Sequence, residues 1–284
     1  MIKYISQKGE DGFGHQLLGM MSLLSLCKGY EYIVYVHYPH DGQFEHVSKE
    51  EKIQLKDYIH AFYEALGYIY PCNFQCFPKK RIMERKRNNL NFKSTEDLQW
   101  DLYTYVFDNS WSQEGIGKLI YGFGFEPFLK NGKLPSHNFN KDDVNVVIHL
   151  RGGDGDGRAF GTKQNMSILN RILEKIYDKH NKAMFYFHTN NDNVNENILK
   201  SVSNDRYKVY NKKTPVLDSF SQMINSDILI VGDSSLSIAA SYVCKGIVLV
   251  PSKLSCAENI DKDIHPLKGI SHAISFEKYL SNNM

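Results

Sequence analysis

From position 144 to 251 the chain alternates short apolar runs with helical stretches, and this regular spacing constrains its fold more than any other feature. "VNVVIHL", "AMFYFHT", "YKVYN", "DILIVG" and "GIVLVP" have strand length and strand composition. Between them lie "NMSILNRILEKIYDKH", "NVNENILKSVS", "VLDSFSQMIN" and "SSLSIAASYVC", each with the spaced apolar positions of a helix. Strands joined through helices lie parallel, because a parallel pair needs a long crossover. The alternation therefore predicts a doubly wound parallel sheet.

The N-terminal region repeats the theme once. "IKYIS" reads as a strand, "GEDGFGHQ" as a glycine loop, "LLGMMSLLSLCKG" as a buried helix ended by Gly29, and "YEYIVYVHY" as a second strand, a βαβ opening. "KEEKIQLKDYIHAFYEALGYIY" and "TEDLQWDLYTYVFDNSW" turn helical and aromatic, and "LKNGKLPSHNFNKDD" is polar with Gly, Pro and Asn, as a linker is. The expected class is α/β, with two Rossmann-like domains facing across a cleft and parallel sheets in both. The boundaries fall at 1–135 and 141–284, and the last helix is free to pack back on the first domain.

Bulk properties exclude several function classes. Among 284 residues, 34 basic and 32 acidic side chains leave a net charge of +2, so no global field recruits nucleic acid or an anionic membrane. The most basic stretch, "RIMERKRNNLNFK", reads as a solvated face. Five cysteines, Cys27, Cys72, Cys76, Cys244 and Cys256, are an odd number in a chain too large to need staples, which favours structural thiols and a reducing, cytoplasmic setting. "PCNFQCFP" has no matching His or Cys pair nearby, so zinc is the lesser reading. No apolar run has the length of a signal peptide or a membrane span.

Chemistry concentrates in three loops. In "VVIHLRGGDGDGRAFG" a buried strand ends in His149 and Arg151, followed by Asp154 and Asp156 among glycines. Alternation along a strand sends His149 and Arg151 to one side, with Ile148 and Leu150 on the other. An arginine there offers a planar fork for two phosphate oxygens, a contact of about 1.5–3 kcal/mol, or else clamps Asp154 or Asp156 internally. The second loop is Gly12, Phe13, Gly14, His15 and Gln16, a tight turn opening a helix whose N–H groups can meet an anion. It is not a dinucleotide fingerprint: Leu17 stands where a third glycine belongs, and the second strand ends in "VHY" without an acid for a ribose. In the third, "DILIVGDSSLSIAASY", Gly232 is followed by Asp233, Ser234 and Ser235 at a helix start. Asp218, on the preceding helix, could accept hydrogen bonds from a base or be a solvated acid.

The order "GFGHQ", "HLRGGD" and "NSDILIVGDSSLS" resembles the fucosyltransferase superfamily that includes the α-1,2-, α-1,6- and protein O-fucosyltransferases, across nearly the whole chain. His15 stands where that loop usually has Asn, and Leu236 where an aromatic follows the second serine. The resemblance implies a GT-B architecture and an inverting, metal-independent transferase without a cofactor. It also implies a GDP-fucose donor, a glycan acceptor on the N-terminal domain and nucleotide-sugar binding on the C-terminal one. By position, Arg151 would bind the β-phosphate, Asp218 the guanine, and Ser234 and Ser235, with Asp233, the diphosphate or ribose. Gly12, Phe13, Gly14, His15 and Gln16 would lie near donor phosphate and acceptor, and His149 and Asp154 would join Arg151 in catalysis.

The residues fit that chemistry on their own terms. A departing diphosphate gains charge, so a fixed guanidinium and helix-start N–H groups stabilise the transition state preferentially, without a metal ion. "DGD" at 154–156 matches a metal-binding D-x-D in letters but sits inside the glycine loop. Asp154, Asp156, His149, His15 and Asp11 all remain candidate bases for the acceptor hydroxyl. Rival expectations are another donor such as UDP-xylose, a non-catalytic nucleotide-sugar or carbohydrate-binding protein, and, weakest, an NAD oxidoreductase.

Overall fold

The computed structural model describes residues 5–6, 12–14, 17, 36–37, 47–65, 135–150, 163–189, 196–232, 234–251 and 273–281. By its contacts the chain divides into two units, Met1–Lys133 and Leu134–Met284. Cys27, Cys72, Cys76 and Cys256, the basic stretch at 81–93 and the aromatic stretch at 95–111 lie outside the described residues.

In the first unit β1 (Ile5–Ser6) and β2 (Val36–His37) pair in parallel, Ile5 opposite Val36 and Ser6 opposite His37. That is the pairing a βαβ opening requires. Helix α1 (Lys49–Ala65) begins where Ser48 takes the Glu51 N–H on its Oγ at 3.2 Å and the Lys52 N–H on its carbonyl at 3.0 Å. Phe13, Leu17 and Leu55 are buried, and the Phe13 ring meets the Tyr58 ring edge-on at 6.1 Å. Burial pushes the Tyr58 phenol upward in pKa.

The second unit is built on one six-stranded sheet, all of it parallel. Its strands are β3 (Val144–Leu150), β4 (Ala183–Thr189), β5 (Tyr207–Tyr210), β6 (Ile228–Ile230), β7 (Ile247–Val250) and β8 (Ala273–Ser275). They lie in the order β5-β4-β3-β6-β7-β8. Counted along the chain, that is third, second, first, fourth, fifth, sixth, the order of doubly wound nucleotide-binding sheets. The predicted parallel α/β fold is therefore present, and four of its predicted strands fall within one residue of their expected ends. "DILIVG" contributes a shorter strand than its six residues suggested. β8 escaped prediction because three residues carry no readable alternation.

One face of the sheet presents Val146, Ile148 and Leu150 from β3, Ala183, Phe185 and Phe187 from β4, and Ile228 and Ile230 from β6 to a common core. Helix α2 (Lys163–Lys179) completes it with Leu169, Ile172, Leu173 and Ile176, spaced three, one and three apart so that a single stripe is apolar. Each such side chain fully withdrawn from water contributes about 1.5–3 kcal/mol. Helix α3 (Glu196–Leu199) stops four residues short of the predicted end at 203, and residues 193–195 of that prediction lie outside the described residues. Beyond Leu199 the chain closes into turns, Ser201 N–H to Ile198 O and Val202 N–H to Leu199 O, and serines in this stretch bond local backbone readily outside helices.

Helices α4 (Val216–Asn225) and α5 (Ser235–Val243) pack on each other, and α4 crosses β3. The last helix, α6 (Phe276–Ser281), lies on α2 and β7, within the second unit; sequence alone leaves a return to the first unit open. Lys175 of α2 caps it by donating to the carbonyls of Tyr279 at 2.9 Å and Leu280 at 3.1 Å.

Candidate functional site

The strand order reverses between β3 and β6, which pair Val146 with Ile228 and Ile148 with Ile230. Ligands of open parallel sheets bind beyond the carboxyl ends of the strands at such a reversal. In sequence β3 is followed by Arg151 and β6 by Gly232 and Ser234, so two of the three chemistry-bearing stretches follow adjacent strands. Arg151, Asp154, Asp156, Asp233, Asp11, His15 and Gln16 themselves lie outside the described residues.

His149 occupies the position expected from alternation. Ile148 and Leu150 belong to the core on the α2 face, while His149 stands half-buried one residue from the strand's end. Ser234 is the N-cap of α5: its Oγ accepts the Leu236 N–H at 3.4 Å, and it is 9% exposed. Ser237 ties the turn together, its hydroxyl lying 3.1 Å from the Gly232 carbonyl and 3.2 Å from that of Ser234. Ser235, at the first helical position, is half-buried and more open than Ser234. The helix start thus has the form expected of it, with Ser234 serving the backbone.

Asp218 lies in the first turn of α4 and is exposed. Because α4 follows β5, its first turn stands on the same carboxyl edge of the sheet as the ends of β3 and β6. The Asp218 carboxylate is close enough to His137 to raise that imidazole's pKa, against a larger lowering by burial and a smaller one from Lys208.

Sequence reasoning missed the polar and aromatic cluster beside Asp218. His188 on β4 pairs in register with His149 on β3 and is 3% exposed. Its Nδ1 lies 3.1 Å from the Ser219 Oγ and its Nε2 3.1 Å from the Gln222 Oε1, both on α4. The imidazole stacks on the Tyr210 ring at 4.8 Å and 8°. Tyr210 in turn stacks on Tyr186, and Phe139 leans on Tyr186 at 4.9 Å. Burial holds His188 down to about 4, outweighing the hydrogen bond that its Nε2–H donates to Gln222 Oε1, so the ring is neutral at physiological pH. The available signal was "VIHL" beside "YFHT", two strands each carrying histidine next to last.

In the first unit, Gly12 opens a helical turn through Phe13 and Gly14. A Cβ on Gly12 would meet nothing within 4 Å, so space stands beside that backbone. The Phe13 ring is 2% exposed and edge-on to Tyr58, so its side chain belongs to the core of this unit. Among the described residues no three His, Cys, Asp or Glu side chains converge as metal ligands, and no helix is long and apolar enough to cross a membrane.

No protein-family model matches the chain, and no curated protein is similar to it. Among solved structures, the S. aureus MnaA–UDP complex aligns at 10% identity and a TM-score of 0.35, over 88% of this chain and 79% of that one. A Listeria monocytogenes protein assigned as a UDP-N-acetylglucosamine 2-epimerase aligns at 10% identity and 0.40, over 98% and 86%. Superpositions this loose carry no argument about function.

Proposed function

We propose that the protein is an inverting, metal-independent glycosyltransferase that moves fucose from GDP-fucose to a sugar hydroxyl, with the nucleotide held on the carboxyl edge of the second unit's sheet. The observation that carries this reading is the strand reversal, which pairs β3, the strand that Arg151 follows in sequence, with β6, the strand that leads to the start of α5. The ordered resemblance of the three loops to the fucosyltransferases supplies the donor and the two-domain GT-B arrangement.

In this reading the acceptor hydroxyl attacks the anomeric carbon from the face opposite the diphosphate. The bond from that carbon to the phosphate oxygen breaks, and the departing diphosphate takes the electron pair. Arg151 and the N–H groups opening α5 meet that growing charge, a form of stabilisation greater in the transition state than in the bound donor. The acceptor proton passes to a base drawn from Asp154, Asp156, His149, His15 or Asp11. Asp218 accepts from the guanine edge.

Titration of the purified chain with GDP, UDP and ADP, followed by incubation with radiolabelled GDP-fucose and a panel of glycan acceptors, tests the reading. GDP preference and labelled glycan are expected. Preference for UDP would move the donor to a UDP-sugar such as UDP-xylose. Saturable binding without product would make the protein a nucleotide-sugar-binding module, and tight NAD binding alone would overturn the proposal.

A further inference from the structure

We infer that His188 is a positioning residue for base recognition: by binding Ser219 and Gln222 at once, it fixes the rotation of α4 on β4 and so sets where Asp218 stands on the sheet's carboxyl edge. The inference rests on the reading of Asp218 as the acceptor for a guanine.

Ser219 and Gln222 are three residues apart and share one face of α4, which is the face turned to β4. Asp218 precedes Ser219 and is exposed, so its carboxylate follows the helix's rotation directly. Hydrophobic contacts do not choose a rotation sharply, because apolar side chains slide and repack within a core of constant volume. Two directional bonds from one planar ring do. The ring itself is held on its other side by the parallel Tyr210, which lies directly across the strand pair from it. A polar trio buried to this degree adds little net stability compared with an apolar replacement of similar shape, so its use is geometric. His188 touches neither substrate nor reacting atoms in this scheme and acts through α4.

The experiment compares GDP with inosine diphosphate, which lacks the exocyclic amine that a carboxylate would accept from. The wild-type chain should prefer GDP by about ten- to hundredfold, the worth of one charge-assisted hydrogen bond. Asp218→Ala should abolish the preference. His188→Phe should also reduce it to near unity while raising the donor KM and leaving kcat at saturating donor within about twofold. His188→Asn, which keeps a polar group for Ser219, should fall between. In the Asp218→Ala background His188→Phe should add nothing further, since both remove the same contact. Should His188→Phe fail to fold, the paired change Ser219→Ala with Gln222→Leu severs the same bonds from α4 and carries the same expectation. Retention of wild-type preference by either variant, or full additivity with Asp218→Ala, overturns the inference while leaving the proposed function intact. Absence of GDP binding by the wild-type chain would instead strike the proposed function, and this inference with it.

Discussion

The two edges of the second unit's sheet put similar residue types to opposite uses. At the amino edge Asp227 accepts from the Asn145 backbone N–H at 2.8 Å and from its side chain at 3.0 Å, and donates its own N–H to the Asn145 carbonyl at 3.0 Å. The Tyr186 hydroxyl donates to the Asn145 Oδ1 at 3.3 Å, and Ser226 spends its hydroxyl on the Met223 carbonyl at 2.9 Å. At the carboxyl edge Asp218 is exposed, and the sequence that follows β3 is rich in glycine. Polar groups that bond each other stabilise a fold, whereas those directed outward are available to a ligand. The difference teaches where to look: substitutions at the amino edge should move stability alone, and those at the carboxyl edge should move function alone.

The sharpest way to break that division is Arg151→Ala. Losing a preorganised cation at a departing diphosphate should cost about 10²–10³ in turnover, or roughly 3–4 kcal/mol, with the unfolding midpoint unchanged. Arg151→Lys should recover little, because an ammonium lacks the planar fork. Single-turnover kinetics beside thermal melts would decide it. Near-normal turnover of the Ala variant would falsify the assignment, and a large loss of stability would return Arg151 to an internal ion pair.

A pH titration probes the layer between the edges. The folded chain holds His188 at about 4, below the ordinary imidazole value of 6.5, so between these values the unfolded chain binds the proton and the folded one does not. The stability contribution is complete above about pH 6.5 and is lost as the pH falls towards 4, by at most roughly 3 kcal/mol. Denaturant midpoints measured from pH 7 to 4 should show this slope, flattened in His188→Phe, which has no proton to take up. His137, the neighbouring imidazole that helps depress His188, persists in both chains and so cancels in the comparison.

Smaller effects belong to the amino edge. A Cβ on Gly246 would stand 2.2 Å from the Asp227 carbonyl oxygen and 2.3 Å from that of Ser226, so no side chain fits without moving backbone. Gly246→Ala should cost about 1–3 kcal/mol, read from chemical denaturation, and leave nucleotide preference untouched. A change in GDP affinity in that variant would mean that the edges are mechanically linked.

How much of this was legible follows from the range of each signal. The strands and α4 could be read because apolar runs and helical spacing are local, as "AMFYFHT" and "VLDSFSQMIN" show by matching β4 and α4 residue for residue. The parallel sheet also followed, since strands joined through helices have few other ways to pair. The partners of His188 could not be read, because they depend on how α4 rotates over β4, which no spacing within either segment encodes. The burial of the Phe13 ring against Tyr58 was equally illegible, because Tyr58 lies 45 residues further on. The Asn145–Asp227 clamp joins residues 82 apart and leaves no local trace.

The smallest expected effect tests the one residue that could belong to either use. Ser234 sits on the carboxyl edge, yet it is 9% exposed and its Oγ caps α5 through a bond of 3.4 Å, long for a cap. Losing a cap typically costs ~1 kcal/mol, and a bond this long puts Ser234→Ala near the low end, about 0.5 kcal/mol. As a capping residue only, it should show that small loss of stability with GDP affinity unchanged, while Ser235→Ala, at the more open position, weakens GDP binding severalfold. If Ser234→Ala weakens GDP binding as much as Ser235→Ala does, the hydroxyl donates to the diphosphate while its oxygen caps the helix. One hydroxyl can do both, since it has a hydrogen to give and lone pairs to receive.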